Sequence, residues 1–261
     1  MAQYARDAIA KHHSDAIHGI GLPYLGDEST GPADCTSESL VLTETRTLAL
    51  VAACRSMGVT VTAAVHAALA GVVFDLPSAK EDSTVTHFSA VLSANFRDYL
   101  PAPCGAASHA CTTYVNGLTP VVQRDASFVD RARSLTREYK EWHSDVFAKT
   151  MRLRYHYHAE KLLEAPPQPM TPPSNIFLSS LGVIDKHLAK VYFCPKMEPS
   201  VEVTDFSFGV LLYAMTFRGC FKLSVNYNDA YHDSASMKRI LVNILEMMET
   251  SLGSSLTLVE V

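Results

Sequence analysis

The sequence predicts an α/β protein, a mixed β-sheet flanked by helices. Three observations carry that expectation. In the last third, Phe221, Leu223, Val225 and Tyr227 alternate with polar residues, as strand residues facing a core do. Upstream, Ala63–Phe74 is almost all Ala, Val and Leu, too apolar for a surface helix and fit for one buried on more than one side. The order is helices, a strand, a long helix and then a run of strands, which points to helices layered on one mixed sheet.

The segments follow in chain order. A short helix over Ala2–Ala10 leads into a histidine cluster, and Gly26–Ser39, rich in Gly, Pro, Ser and Asp, reads as an exposed connection. Thr43 can cap a helix whose apolar residues Leu48, Val51, Ala52 and Met57 recur at helical spacing, with Gly58 ending it. Val59-Thr60-Val61-Thr62 then opens the apolar helix. Thr84–Phe96 reads as one strand with Phe88, Ala90, Leu92 and Ala94 on one face, stopped by Pro101. A short strand is expected at Cys111–Val115. The longest helix is expected over Ser127–Leu153, with Phe128, Ala132, Leu135, Tyr139, Trp142 and Val146 three or four residues apart. A proline-rich linker, Pro166–Pro173, precedes strands at Ile176–Leu181, Val191–Phe193, Asp205–Phe217 and Cys220–Tyr227. The last two form a hairpin turned at Arg218-Gly219, expected to lie beside Thr84–Phe96. Asp233 or Ser234 caps a final helix with Met237, Ile240, Leu241, Ile244 and Leu245 inward.

Composition narrows the function classes. The chain has 261 residues and a formal net charge of -5, so it lacks the basic excess of a nucleic-acid binder. Apolar residues make up 48% and charged residues 19%, the balance of a folded enzyme rather than a disordered segment. No apolar run is long enough to span a bilayer. The N-terminus carries charges and histidines where a signal peptide needs an apolar core, so a cytoplasmic protein with six reduced cysteines is expected. Neither a phosphate-cradling glycine loop, a G-x-S-x-G elbow nor an H-E-x-x-H motif occurs. His156 and His158 are spaced to fall on different faces of a helix, which argues against a metal pair.

Five segments, in order, resemble the chloramphenicol-acetyltransferase superfamily, which includes peptide-synthetase condensation domains, plant BAHD acyltransferases and fungal trichothecene-type O-acetyltransferases. ALVAACRSMGVTVTAAVHAALA (Ala49–Ala70) is similar to the superfamily's two helices joined by a "gvTv" turn. SANFRDYLP (Ser93–Pro101) resembles the strand end "vNlRpyl", and FLSSLGVID (Phe177–Asp185) resembles "SNlGvid". TDFSFG (Thr204–Gly209) resembles the BAHD "DFGWG", with Phe208 at the tryptophan position. SVNYNDAYHD (Ser224–Asp233) resembles the segment before the C-terminal helix. The resemblance implies the C-terminal lobe of a two-lobed, CoA-dependent acyltransferase over residues 42–261. Residues 1–41 would then be a linker and the remnant of an N-terminal lobe that bears the catalytic motif.

It also implies chemistry: direct transfer from acetyl-CoA or another acyl-CoA to a hydroxyl or amine of a small molecule, with no bound cofactor. The superfamily's H-H-x-x-x-D-G motif supplies a histidine base and a structural aspartate. Here Asp15 resembles the aspartate, but the position four residues before it is Lys11, and His13 lies two residues before. His13 is the candidate base, because a histidine pKa lies near operating pH. His18, or no base at all on a solvated segment, are the competing readings. Ser180 could donate to a developing oxyanion. Asn95 and Arg97 either line the tunnel or brace the strand end, and Asp205 and Gly209 would be structural. A non-catalytic remnant or interaction module, dimerising through its exposed lobe face, is the alternative.

Overall fold

The computed structural model describes residues 1–17, 19–27, 29–104, 106, 108, 115–142, 145–164, 174–186 and 209–253. The expected strand Val191–Phe193 and the linker Pro166–Pro173 lie outside these residues. Helix α1 (Ala2–Ile17) runs well past the expected end at Ala10. It is followed by β1 (Gly19–Ile20) and β2 (Cys35–Val41). Helices α2 (Glu44–Ser56), α3 (Val61–Asp75) and the short α4 (Pro77–Glu81) come next. Then come β3 (His87–Ser89), β4 (Val91–Asn95), β5 (Val115–Leu118) and β6 (Val121–Gln123). Helices α5 (Phe128–Glu141) and α6 (Asp145–Glu164) lead to β7 (Ile176–Val183), β8 (Val210–Phe217), β9 (Cys220–Asn228) and α7 (Ser234–Leu252).

The strands form a six-stranded mixed sheet in the order β2-β9-β8-β7-β4-β5 and a small sheet β1-β3-β6. In the large sheet β4, β7 and β8 run parallel, while β5, β9 and β2 are antiparallel to their neighbours. The α/β class is as expected, but several details differ. The run Thr84–Phe96 is two strands in two sheets, parting at the buried Ala90. The inward face is as read, with Phe88, Ala90 and Leu92 buried. The hairpin β8–β9 does not touch β4, because the parallel β7 lies between them. Residues 35–39, read as connection, belong to β2, whose side chains at Thr36, Glu38 and Leu40 are only partly covered at the sheet edge. Of the strand expected at Cys111–Val115, residues 111–114 lie outside the described residues, while β5 runs from Val115 to Leu118 and β6 is an unexpected partner of β3. The expected long helix is two helices, one ending at Glu141 and the next starting at Asp145, and Val146 is exposed instead of inward.

Each helix start has a chemical cause. The hydroxyls of Thr43, Thr60 and Ser127 accept from the N–H groups of Arg46, Ala63 and Asp130, and the Asp233 carboxylate accepts from Ser236 N at 2.8 Å. The inward face of α2 is not the expected one. Thr47, Leu50 and Cys54 are buried, while Leu48 is 63% exposed. The helix is apolar on several sides, so apolar spacing does not choose a face. A backbone bond does: Thr47 Oγ1 accepts from Phe221 N at 2.8 Å and docks that side on the hairpin. Helix α3 is buried at every residue from Ala63 to Phe74, as its composition requires. Its close approach to α7 depends on Gly71, where a Cβ would overlap the Met247 sulfur. Met237, Ile240, Leu241, Ile244 and Leu245 of α7 complete the core beneath β9. Beyond Phe221, Leu223, Val225 and Tyr227, the opposite-facing Ser224, Asn226 and Asn228 are also buried, so the end of β9 is covered on both faces. Asn228 does part of this by gripping both backbone groups of Ala33, at 3.0 and 2.8 Å. Arg218 and Gly219 both take positive φ, the conformation a two-residue hairpin turn needs. Among the described residues, Cys35, Cys54, Cys104 and Cys220 form no disulfide.

Candidate functional site

In open α/β sheets, ligands bind beyond the carboxyl ends of parallel strands. Here those ends belong to β4, β7 and β8, and two of the candidate residues lie there. Ser180 sits in β7 where its pairing with β8 shifts register between Ser180 and Gly182. Its Oγ lies 2.7 Å from Thr62 Oγ1, in the first turn of α3. A half-buried pair of hydroxyls thus joins the helix start to the strand. When Thr62 donates, the Ser180 proton is free for another acceptor. The N-cap of that helix is itself held from a second side, since Thr60 N donates to Thr136 Oγ1 at 3.1 Å.

Asn95 and Arg97 work on the backbone of the neighbouring strand end. Asn95 Oδ1 accepts from Arg97 N at 3.0 Å, and Arg97 Nη1 donates to Cys104 O at 3.2 Å. Together they shape the turn after β4. That turn is seated by aromatic packing: Trp142 lies 5.9 Å from Phe96, 5.1 Å from Tyr99 and 5.5 Å from Phe147, ring centre to ring centre. Gly209 is buried with φ +95, a conformation that suits glycine, and it immediately precedes β8. Asp205 lies outside the described residues. His13 and Asp15 have backbone in the last turns of α1, but their side chains lie outside the described residues, as does His18. His156 Nε2 is 3.1 Å from the Glu160 carboxylate one turn on, an exposed helical pair.

Three polar groups escaped the reading of the sequence. Thr62 was visible only as part of the "gvTv" segment. His66, in the middle of α3, is fully buried, with Nδ1 hydrogen-bonded to the Tyr139 hydroxyl and the ring edge-on to Phe88. Burial pushes its pKa down to about 4, so it is neutral in the folded protein near pH 7. The third is a cleft of about 360 Å³ where α1, α6 and the strands β4, β5 and β7 meet, lined in part by Asn116 and Arg154.

A six-stranded mixed sheet with buried helices α3 and α7, and a hydroxyl pair towards the ends of its parallel strands, is the architecture expected of the C-terminal lobe of a chloramphenicol-acetyltransferase-like fold. The chain belongs to the family described as phthiocerol/phthiodiolone dimycocerosyl transferase C-terminus, whose model matches residues 31–225. It is 38% identical over 263 residues to the O-acetyltransferase pigM of Monascus ruber, covering 98% of this chain and 50% of that protein. It is also 38% identical over 269 residues to the azaphilone biosynthesis cluster protein M of Aspergillus terreus, covering 99% of this chain and 63% of that protein. Among solved structures, the trichothecene 15-O-acetyltransferase TRI3 of Fusarium sporotrichioides superposes with a TM-score of 0.73 at 19% identity, over 94% of this chain and 52% of that one. At that identity the likeness is one of fold. The chain thus spans 50% to 63% of the length of these two curated relatives. Among the described residues, no single helix is long and apolar enough to cross a membrane.

Proposed function

We propose that the protein transfers an acyl group, acetyl in the simplest case, from acyl-CoA to a hydroxyl group of a small fungal secondary metabolite of the azaphilone class. The observation that carries this reading is the 38% identity to the O-acetyltransferase pigM across 98% of the chain. In this reading the acceptor hydroxyl loses its proton to a histidine base, and its oxygen attacks the thioester carbonyl. The tetrahedral oxyanion then collapses and expels CoA as the thiolate, which takes up a proton. His13 is assigned as the base and Asp15 as the residue that fixes its segment. Ser180, with Thr62 donating to it, is assigned to the oxyanion. Asn95 and Arg97 shape the floor of the tunnel, and Asp205 and Gly209 hold the start of β8. Residues 1–41 bring the motif to the lobe formed by 42–261, in a cytoplasmic enzyme that needs neither metal nor resident cofactor.

The test is CoA release from acetyl-CoA in the presence of an azaphilone alcohol, with the acetyl ester identified by mass spectrometry. Ser180→Ala should lower kcat roughly 10²-fold or more with little change in KM, the effect of losing one oxyanion donor. His13→Ala should lower it by about 10² to 10⁴. Full turnover in both variants would overturn the residue assignments, and a parent that forms no ester with any such alcohol would overturn the activity.

A further inference from the structure

The cleft between α1, α6 and the sheet is distinct from the strand ends that carry Ser180, since it opens beside Val91 and Phe177, at the opposite ends of β4 and β7. Its walls have two characters. Ala8, Ile9, Val91 and Phe177 supply an apolar surface. Against it stand Asn116, 3% exposed, and the half-buried Arg154. The Asn116 Nδ2 and the Arg154 Nε and Nη2 are buried and have no hydrogen-bond partner among the described residues. These are all donors. Leaving buried donors unpaired is costly, so a structure keeps them where something else supplies the acceptors.

The arrangement of Arg154 narrows what that acceptor is. Nε–H and Nη2–H form one edge of the guanidinium, the edge that takes both oxygens of a carboxylate or phosphate at once. The face of the guanidinium lies 3.6 Å from the centre of the Phe147 ring, so the fork is held in place before any ligand arrives. Burial is the leading influence on this cation and lowers its pKa, with the phenols of Tyr4 and Tyr155 acting in the opposite direction. No carboxylate among the described residues balances it. A held cationic fork, a third donor and an apolar wall around a cleft of about 360 Å³ match a small ligand with one anionic end.

We infer that this cleft binds a small organic oxyanion on an apolar stem, its two oxygens on the Arg154 fork and one also on Asn116. The shared chemistry covers a fatty carboxylate and an alkyl phosphate. Isothermal titration of the chain with octanoate, octyl phosphate, octanol and inorganic phosphate separates them, and no acyl-CoA or turnover is involved. Octanoate or octyl phosphate should bind, whichever is tighter naming the source, while octanol and inorganic phosphate, each lacking one half of the ligand, should be at least tenfold weaker. Arg154→Met, which keeps the stem and loses the fork, should weaken binding ten- to a hundredfold. If Arg154→Met does not fold, Arg154→Lys decides the point, because it keeps the charge and loses the two-pronged edge; it too should weaken binding. No binding of either amphiphilic anion, or equal binding by parent and variant, would overturn the proposal.

Discussion

His66 and Arg154 both hold buried nitrogen atoms that no group among the described residues satisfies, yet their surroundings are opposites. His66 lies inside α3, fully covered, with Tyr139 on one side and Phe88 edge-on. Arg154 lies along α6 with its free edge on a cleft. A lone buried donor or acceptor therefore carries two meanings. In a closed core it fixes the charge state of the group, and the cost falls on stability. Beside a cleft it leaves a charged group prepared for something that comes from outside.

That contrast can be broken by experiment. The largest effect expected is acid sensitivity at the closed site. His66 has its pKa pushed down by burial to about 4, while in the unfolded chain it lies near the ordinary 6.5. The unfolded state therefore binds the proton first. The contribution of neutral His66 to stability is complete above pH 6.5 and declines by about 3 kcal/mol as the pH falls towards 4. Urea unfolding at pH 7, 5.5 and 4.5 should show this slope, and His66→Leu should flatten it. An unchanged slope in the variant would assign the acid sensitivity to other groups. A smaller effect is expected on removing the partner: Tyr139→Phe leaves Nδ1 as bare as Nε2 and should cost about 1–3 kcal/mol at pH 7. At the open site the sign is different. Arg154→Met should change the unfolding free energy by less than about 1 kcal/mol, because relief of an unbalanced half-buried cation offsets the lost contact with Phe147. A loss of several kcal/mol there would make Arg154 a structural group and remove the contrast.

The parts of the fold that were legible in the sequence are those where one short-range rule decides. The caps Thr43 and Asp233, the buried α3, the hairpin turn at Arg218-Gly219 and the inward face of α7 each depend on residues close together in the chain. What could not be read is set by distant partners. The face of α2 follows from Thr47 meeting Phe221 N, and the break at Ala90 follows from β6 claiming one half of the run and β7 the other. Of the site, the position of Ser180 at a strand end was legible through FLSSLGVID, but its hydroxyl partner Thr62 lies over a hundred residues earlier in sequence. Asn116 and Arg154 belong to no motif, and only the packing of α6 on the sheet edge brings them to one cleft.

The pairing of β2 with β9 has a consequence for how the chain is made. Cys35 lies opposite Asn228 and Val41 opposite Lys222, so β2 is joined to a strand that is synthesised long after it. At a synthesis rate of about 5–20 residues per second, β2 waits on the order of 10 s or longer for its partner to be synthesised. Its pairing closes the widest loop in the sheet, a step that costs entropy before it gains any contact, whereas β8 and β9 can zip across two residues. The edge strand is thus the natural last step of assembly, and the interval before it is when a nascent chain is most open to a chaperone or to another copy of itself.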